Sequence, residues 1–462
     1  MSIDKAIAQF RKNKENYLED LKTLVRIPSI SFPDYDTAEV VKSAEAVAKL
    51  LKKTGLNNIQ ILYAKDNPRP YVYGEYIKDA NRPTLLLYAH HDVQPVGDES
   101  KWKSPPFEPT LREGRLYGRG TADDKAGISV HCAAIDSWLK SSGDLPVNVK
   151  VIIEGEEEIG SEGLPDFLKQ YHDLVQADYM VLTDTDNYST ERGGLVISLR
   201  GLVEAHVEVS ALKQSIHSGM AGGPTPDPAM ALCKMLATLA DSDGNVAIEG
   251  IWDKVRPLSE DQKKSLASLN ETEEELRKMA GLLPGVPFNG GKGNFREKLW
   301  FRPTITINAI QASNRKAAAN IINASAWAKV TMRIVPDLKG EDVFEKLKNH
   351  LRENCPFGLK LDIQNMGTGN WWSTSTDHPI FAAAKKAMTE AWGIEPVFMG
   401  CGGSIPFVEP FSKALGGAPA LLVGVEDPYT NAHSENESLH LGVWEKSVES
   451  CIRLYQHSSQ VR

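Results

Sequence analysis

Two patterns of apolar and polar positions alternate along the chain. Up to about residue 197, short unbroken apolar runs such as "TLLLYAHHD", "VNVKVIIEG" and "DYMVLTDTD" have the texture of strands buried on both faces. Between them lie stretches of helical period, "DTAEVVKSAEAVAKLLKKTG", which closes on a glycine in the C-cap position, and "AGISVHCAAIDSWLKSSG". The alternation predicts an α/β domain with a mostly parallel sheet and helices on both faces. From about 198 to 370 the period changes to two. "GLVEAHVEVSA", "TITINAIQA" and "AWAKVTMRIVP" alternate apolar with polar residues, as strands with one wet face do. With the helices "DPAMALCKMLATLA" and "GEDVFEKLKNHLREN" and the closing strand "LKLDIQNMG", the order β-α-β-β-α-β predicts a ferredoxin-like α+β unit. Within it, 241–300 form a long insertion whose charged stretch "SEDQKKSLASLNETEEELRKMAG" reads as one solvated helix. After about 372 the first pattern returns with "PIFAAAKKAMTEAWG", "APALLVGVE" and a C-terminal helix. The predicted domains are therefore 1–197 joined with 372–462, and an inserted domain over 198–371.

Length supports two domains, since 462 residues exceed the usual single core. A formal charge of -9 disfavours nucleic acid as a partner, because a phosphate footprint needs basic clusters. The opening "MSIDKAIAQFRKNKENYLEDLKTLVRIPSIS" reads as an amphipathic helix without the apolar core of a signal peptide. No run approaches the roughly 18 apolar residues of a membrane span. The cysteines Cys132, Cys233, Cys355, Cys401 and Cys451 are odd in number and scattered, the pattern of reduced core thiols, which predicts a cytoplasmic location.

The candidate chemistry sits where the buried runs end, and ligands of open α/β sheets bind at the carboxyl ends of strands. After "TLLLYA" come His90, His91 and Asp92; after "VNVKVII" comes the glutamate cluster "EGEEEIG"; after "DYMVLT" come Asp184 and Asp186; after "ALLVGVEDPYTNA" comes His433. "GRLYGRGTADDKAG" sets Asp123 and Asp124 ahead of a helix, where an acid pair ordinarily serves as an N-cap. Each item alone has a plain structural reading, and Glu156 to Glu158 alone read as a surface turn. Their convergence changes that. Two carboxylates 4 Å apart at an effective dielectric near 20 repel by about 4 kcal/mol, so such a cluster stays ionised only around cations. Histidines and carboxylates without a nearby cysteine suit Zn²⁺ or a similar divalent ion. In "HHD", residues two apart share a face of an extended chain, which points to His90 as a ligand oriented by Asp92; a register shifted by one residue promotes His91 instead. The glycine-rich "GRLYGRG" is neither G-x-G-x-x-G nor a Walker A loop, and Asp123 stands where a phosphate needs donors.

Taken in order, "YAHHDVQP", "YGRGTADDKAG", "IEGEEEIGSEGL", "VLTDT", "SIHSGMAGGPTPDPAMAL", "MRIVPD", "CGGSIPF" and "NAHSENE" resemble the dinuclear-zinc exopeptidase family of carnosinase, aminoacylase and the glutamate carboxypeptidases. "HSGMAGG" and "GGSIP" are most similar to its carnosinase-like dipeptidase branch. The resemblance implies two divalent ions per chain, zinc with manganese or cobalt as alternatives. It implies His90, Glu158, Asp184 and His433 as metal ligands and Asp123 as the carboxylate shared by both ions. Glu157, which the residues alone do not separate from Glu156, takes the place of the general base, and Asp92 that of the acid behind the ligand histidine. Little depends on Glu156 in this reading. His217 corresponds to a histidine that one subunit of a homodimer lends to its partner's site. Asn320 and Arg333 correspond to substrate contacts on the inserted lid, and Ser404 to the loop holding the substrate's carboxylate end. The chain departs from the family pattern at Asn323, Cys401 and His91, none of them a ligand position.

The function so implied is hydrolysis of dipeptides or short peptides by a metal-dependent exopeptidase. The nearest alternative is a deacylase of N-acyl amino acids using the same metal site. A remote one, from a different class, is a non-catalytic amino-acid or peptide binder on this scaffold, which loss of Glu157 or of a ligand would have signalled.

Overall fold

The structure, a computed structural model, describes residues 2–403 and 408–461. The chain divides into two compact units: Met1–Ile197 with Thr374–Met399 and Ile405–Arg462, and Ser198–Ser373 with Gly400–Ser404.

The first unit is built on a sheet formed by β1 (Asn57–Leu62), β2 (Tyr71–Tyr76), β3 (Thr84–His90), β4 (Asn148–Glu154), β5 (Tyr179–Leu182), β6 (Gly194–Leu199) and β7 (Ala420–Val423). Their spatial order is β1-β2-β4-β3-β5-β7-β6. The central four, β4, β3, β5 and β7, run parallel, and the flanking strands are antiparallel. Burial on both faces explains the unbroken apolar runs. On β3, Leu85, Leu87 and Ala89 join the main core, which also takes in residues of helices α1 (Ile3–Val25), α2 (Thr37–Thr54), α3 (Lys125–Ser142), α4 (Pro379–Trp392) and α5 (Leu441–Ser458). Tyr88 points the other way and meets Phe411 edge-on at 5.6 Å, while Tyr71 of β2 stacks on Phe167 at 4.0 Å. Both partners lie on short helices, Leu164–Gln170 and Val408–Ala414, so each face of the sheet carries helices. Helix α3 is buried through almost its whole length, as a helix apolar all round must be. Its Trp138 donates to the Ile452 carbonyl of α5 at 3.0 Å, and its Asp136 accepts from Tyr17 of α1 at 2.6 Å.

The second unit holds a four-stranded antiparallel sheet in the order Thr304–Gln311, Ser325–Ile334, Gly201–Ser210, Lys360–Gly369. That order is the ferredoxin-like arrangement. Burial alternates residue by residue along Gly201–Ser210 and Ser325–Ile334. The buried side takes helices Pro228–Ala237 and Gly340–Glu353, the latter presenting Val343, Phe344, Leu347 and Leu351 at helical spacing. The charged insertion departs from the single predicted helix. It forms two, Glu260–Ala267 and Glu273–Met279, each begun by a capping box, Ser259 with Gln262 and Thr272 with Glu275. A second box of this kind satisfies orphan N–H groups in mid-stretch and restarts the helix, worth ~1 kcal/mol. Among the described residues no helix is long and apolar enough to cross a membrane.

Candidate active site

The parallel strands deliver their last residues to one edge of the first unit. β3 ends on His90, which is fully buried. Its Nε2 lies 3.0 Å from Asp123 Oδ1 and 3.9 Å from Asp184 Oδ1, and its Nδ1 lies 3.1 Å from the Asp92 carbonyl and 3.4 Å from Asp92 Oδ1. Asp92, also fully buried, does more than face His90. Its carboxylate accepts from Ser31 Oγ at 2.7 Å and from the backbone N–H of Glu157 and Glu158 at 3.2 and 3.1 Å. One side chain thus sets both the imidazole and the turn after β4. His91 turns away and lies 3.0 Å from the Pro70 carbonyl, and burial pushes its imidazole down to about 4.

The turn after β4 divides its glutamates by direction. Glu158 is gripped by Gln94, whose backbone N–H and Nε2 donate at 3.1 and 2.7 Å, and it lies 3.2 Å from His433 Nε2. Glu157 offers a carboxylate oxygen to the neighbourhood of His90 and Asp184. Glu156 is buried rather than on a surface turn. It is 1% exposed and accepts from Tyr71 Oη and, at 3.1 Å, from the Gly163 N–H, so it ties the turn to the wall behind it. Asp124 caps α3, accepting from Gly127 N–H, and also takes the His90 N–H at 3.2 Å; Asp123 before it turns its carboxylate outward to the histidines. His433 reaches the cluster from a backbone in the left-handed region, φ 61°, with Nε2 3.1 Å from Asp123 Oδ2.

Three groups of donor atoms lie mutually within 4.8 Å: His90 with Glu157 and Asp184, His90 with Asp123 and Glu158, and Asp123 with Asp184 and Glu426. The electrostatics are those of crowded, buried acids. Burial and the charge of Asp184 push the Glu157 carboxyl well above its ordinary range, and burial with the charge of Asp123 lifts Glu158 to about 7. Burial and neighbouring acids likewise raise Asp184, although His90 opposes them. Asp123 and Glu158 draw His433 up to about 11. Burial also presses on Asp123, but its two imidazoles outweigh it and hold the carboxyl low. Buried carboxylates that must borrow protons or imidazolium charge are the donor set for divalent cations, with oxygen and imidazole nitrogen and no thiol.

The profile of "Peptidase family M20/M25/M40" matches residues 86–459. The chain belongs to this family. It is 32% identical to the Cys-Gly metallodipeptidase dug1 of Schizosaccharomyces pombe over 97% of each chain, and 28% identical to the Beta-Ala-His dipeptidase of Rattus norvegicus over 80% of this chain and 76% of that one. The solved structure of the di-peptidase Dug1p from Saccharomyces cerevisiae matches with a TM-score of 0.82 at 26% identity over 99% of both chains. This member of peptidase family M20/M25/M40 is a peptidase hydrolase on the carnosinase-like branch.

In this M20 chain the remaining candidates lie apart from the cluster in sequence and in unit. His217 is exposed and caps the short helix Ser218–Ala221, its Nδ1 accepting from the Gly219 N–H. Asn320 is exposed and its carbonyl accepts from Ser218 N–H, while Arg333 is half-buried on Ser325–Ile334. Ser404 falls outside the described residues. Gln94, Ser31 and Glu426 were missed by sequence reasoning. Gln94 stood within "HHDVQP", where its distance from the glutamates carried no signal, and Glu426 stood at the end of a buried strand, where the same rule that found Asp184 applies.

Proposed function

We propose that this chain hydrolyses unblocked dipeptides with two divalent ions, zinc, or manganese or cobalt in its place, held by His90, Asp123, Glu158, Asp184 and His433. The observation that carries the reading is the pair of donor groups sharing Asp123 at the carboxyl edge of the parallel sheet, one with His90 and Glu158 and one with Asp184 and Glu426. Ions bound there supply Lewis-acid polarisation of the scissile carbonyl and an acidified water. The chain's own residues supply the rest. Glu157 takes the proton of the attacking water and delivers it to the leaving nitrogen as the C–N bond breaks. Asp92 keeps His90 and the Glu157 backbone in place through its hydrogen bonds. Arg333, Asn320 and Ser404 are assigned to substrate binding, with Ser404 at the carboxylate end. The free cysteines support a cytoplasmic location.

The test is a panel of dipeptides, Cys-Gly and β-Ala-His among them, against their N-acetyl counterparts and N-acyl amino acids, with Zn²⁺, Mn²⁺ or Co²⁺ added. Unblocked dipeptides should lead in kcat/KM by at least ~10²-fold, since a site built for a polar group rejects analogues lacking it. A preference for N-acyl amino acids would make the enzyme a deacylase.

We further assign His217 to the site of a partner subunit in a homodimer. Mixing inactive His217→Ala with inactive Glu157→Gln under subunit exchange then yields half mixed dimers with one intact site in two, so about a quarter of wild-type activity returns. Activity that stays at the level of the parents refutes a shared site and leaves the metal chemistry standing.

A further inference from the structure

Behind the cluster lies a buried ion pair that the reaction does not use. Glu437, four residues after His433, is 0% exposed, and Arg119, four before Asp123, is 1% exposed. Glu437 Oε1 accepts from the N–H groups of Ala122 and Asp123 at 3.0 and 3.2 Å; Oε2 accepts from Gly120 N–H at 2.9 Å and from Arg119 Nη1 at 2.7 Å. Its own carbonyl accepts from Gly118 N–H at 3.0 Å. One carboxylate thus gathers three amides of a single loop, the last belonging to Asp123 itself. Arg119 reaches the other way. Its Nη2 donates to the carbonyls of Pro95 at 3.0 Å and Ser434 at 3.2 Å, which lie in the segments following Asp92 and His433. Replacing a buried ion pair by apolar residues of the same volume is often neutral for stability, so the interest of this pair lies in what it holds together. Here the pair joins three segments of the site, two of them more than 300 residues apart in the chain.

We propose that Glu437 and Arg119 are positioning residues that fix the separation of Asp123 from His433 and thereby set how tightly the site binds metal. This rests on the reading of Asp123 and His433 as metal ligands. Groups that orient metal ligands typically account for 10–100-fold in affinity, and the pair holds the Asp123 backbone and the His433 segment at once.

The experiment titrates metal-free wild type, Glu437→Gln and Arg119→Lys with Zn²⁺ against a chromophoric chelator, and records the visible spectrum with Co²⁺. Glu437→Gln keeps the volume but turns one acceptor into a donor facing N–H groups. Arg119→Lys keeps the charge but loses the fork that reaches two carbonyls. Both should bind at least one ion ~10–100-fold more weakly, with an altered Co²⁺ spectrum, and excess metal should restore kcat. A purely structural role would lower Tm and leave the affinity and spectrum of the folded protein unchanged, and that result overturns the proposal. If Glu437→Gln fails to fold, Arg119→Lys decides by the same readout. Wild type that binds no Zn²⁺ overturns the metal site and the positioning role together, whereas normal binding by wild type and both variants overturns the positioning role alone.

Discussion

Glu157→Gln should lower kcat by ~10²–10⁴-fold while the metal content of the protein stays at the wild-type level. The substitution keeps size and hydrogen-bonding reach and removes the ability to take a proton. Metal content is the necessary second measurement, because the Glu157 oxygen stands with donor atoms of His90 and Asp184 and a ligand role would also cost activity. Its neighbours make the comparison sharp. Glu158→Gln should lose metal, since Glu158 faces Asp123 and His433. Glu156→Gln should keep metal and chemistry but lower stability by ~1–3 kcal/mol, because its amide NH₂ would face the Gly163 N–H from which Oε2 now accepts at 3.2 Å. Wild-type turnover in Glu157→Gln, or loss of metal with it, ends the assignment of the base.

Complete removal of metal by a chelator should abolish hydrolysis, and adding back a divalent ion should restore it as binding approaches two ions per chain. The stability of the protein should follow. Metal at 100 times its Kd adds ~2.7 kcal/mol per site, so chelation lowers Tm. The direction with pH is fixed by the groups involved. The carboxyl of Glu158 is raised from 4.5 to about 7 in the metal-free fold, so the fold favours its protonated form and loses stability as pH climbs between those values. His433 is raised from 6.5 to about 11, so the stability it contributes is complete below 6.5 and declines above that as pH rises toward 11. Metal binds the deprotonated ligands and grows tighter over the same range. The Tm gap between loaded and metal-free protein should therefore widen from pH 5 to pH 7. Activity that survives full chelation, or a gap that narrows, contradicts the two-ion reading.

Much of this was legible in the sequence for identifiable reasons. Parallel strands buried on both faces announce themselves as unbroken apolar runs, and the residue after each run is where chemistry belongs; that rule reached His90, Asp184 and the glutamate turn. The alternation in "GLVEAHVEVSA" disclosed the second unit because one face of its sheet is wet. What stayed hidden depends on partners far along the chain. Glu437 accepts from amides more than 300 residues earlier, and no local spacing records a carboxylate whose partners are backbone. Taken alone, three adjacent acids look like a surface turn, and nothing local shows that Tyr71 and Gly163 give Glu156 buried partners. The insertion read as one helix because its charge pattern is continuous, and the capping box at Thr272 divides it.

The first unit is discontinuous, and that has a consequence for synthesis. His90, Asp123, Glu158 and Asp184 all leave the ribosome before the second unit is made, while β7 and His433 follow it. About 235 residues separate the end of the first segment from His433, and at ~5–20 residues per second they take roughly 12–50 s to translate. Through that interval the nascent chain carries an unneutralised acidic cluster and a parallel sheet lacking β7. If His433 is the last ligand, as proposed, the metal site is completed only as translation ends, so a cell short of the ion would accumulate the released chain without its metal.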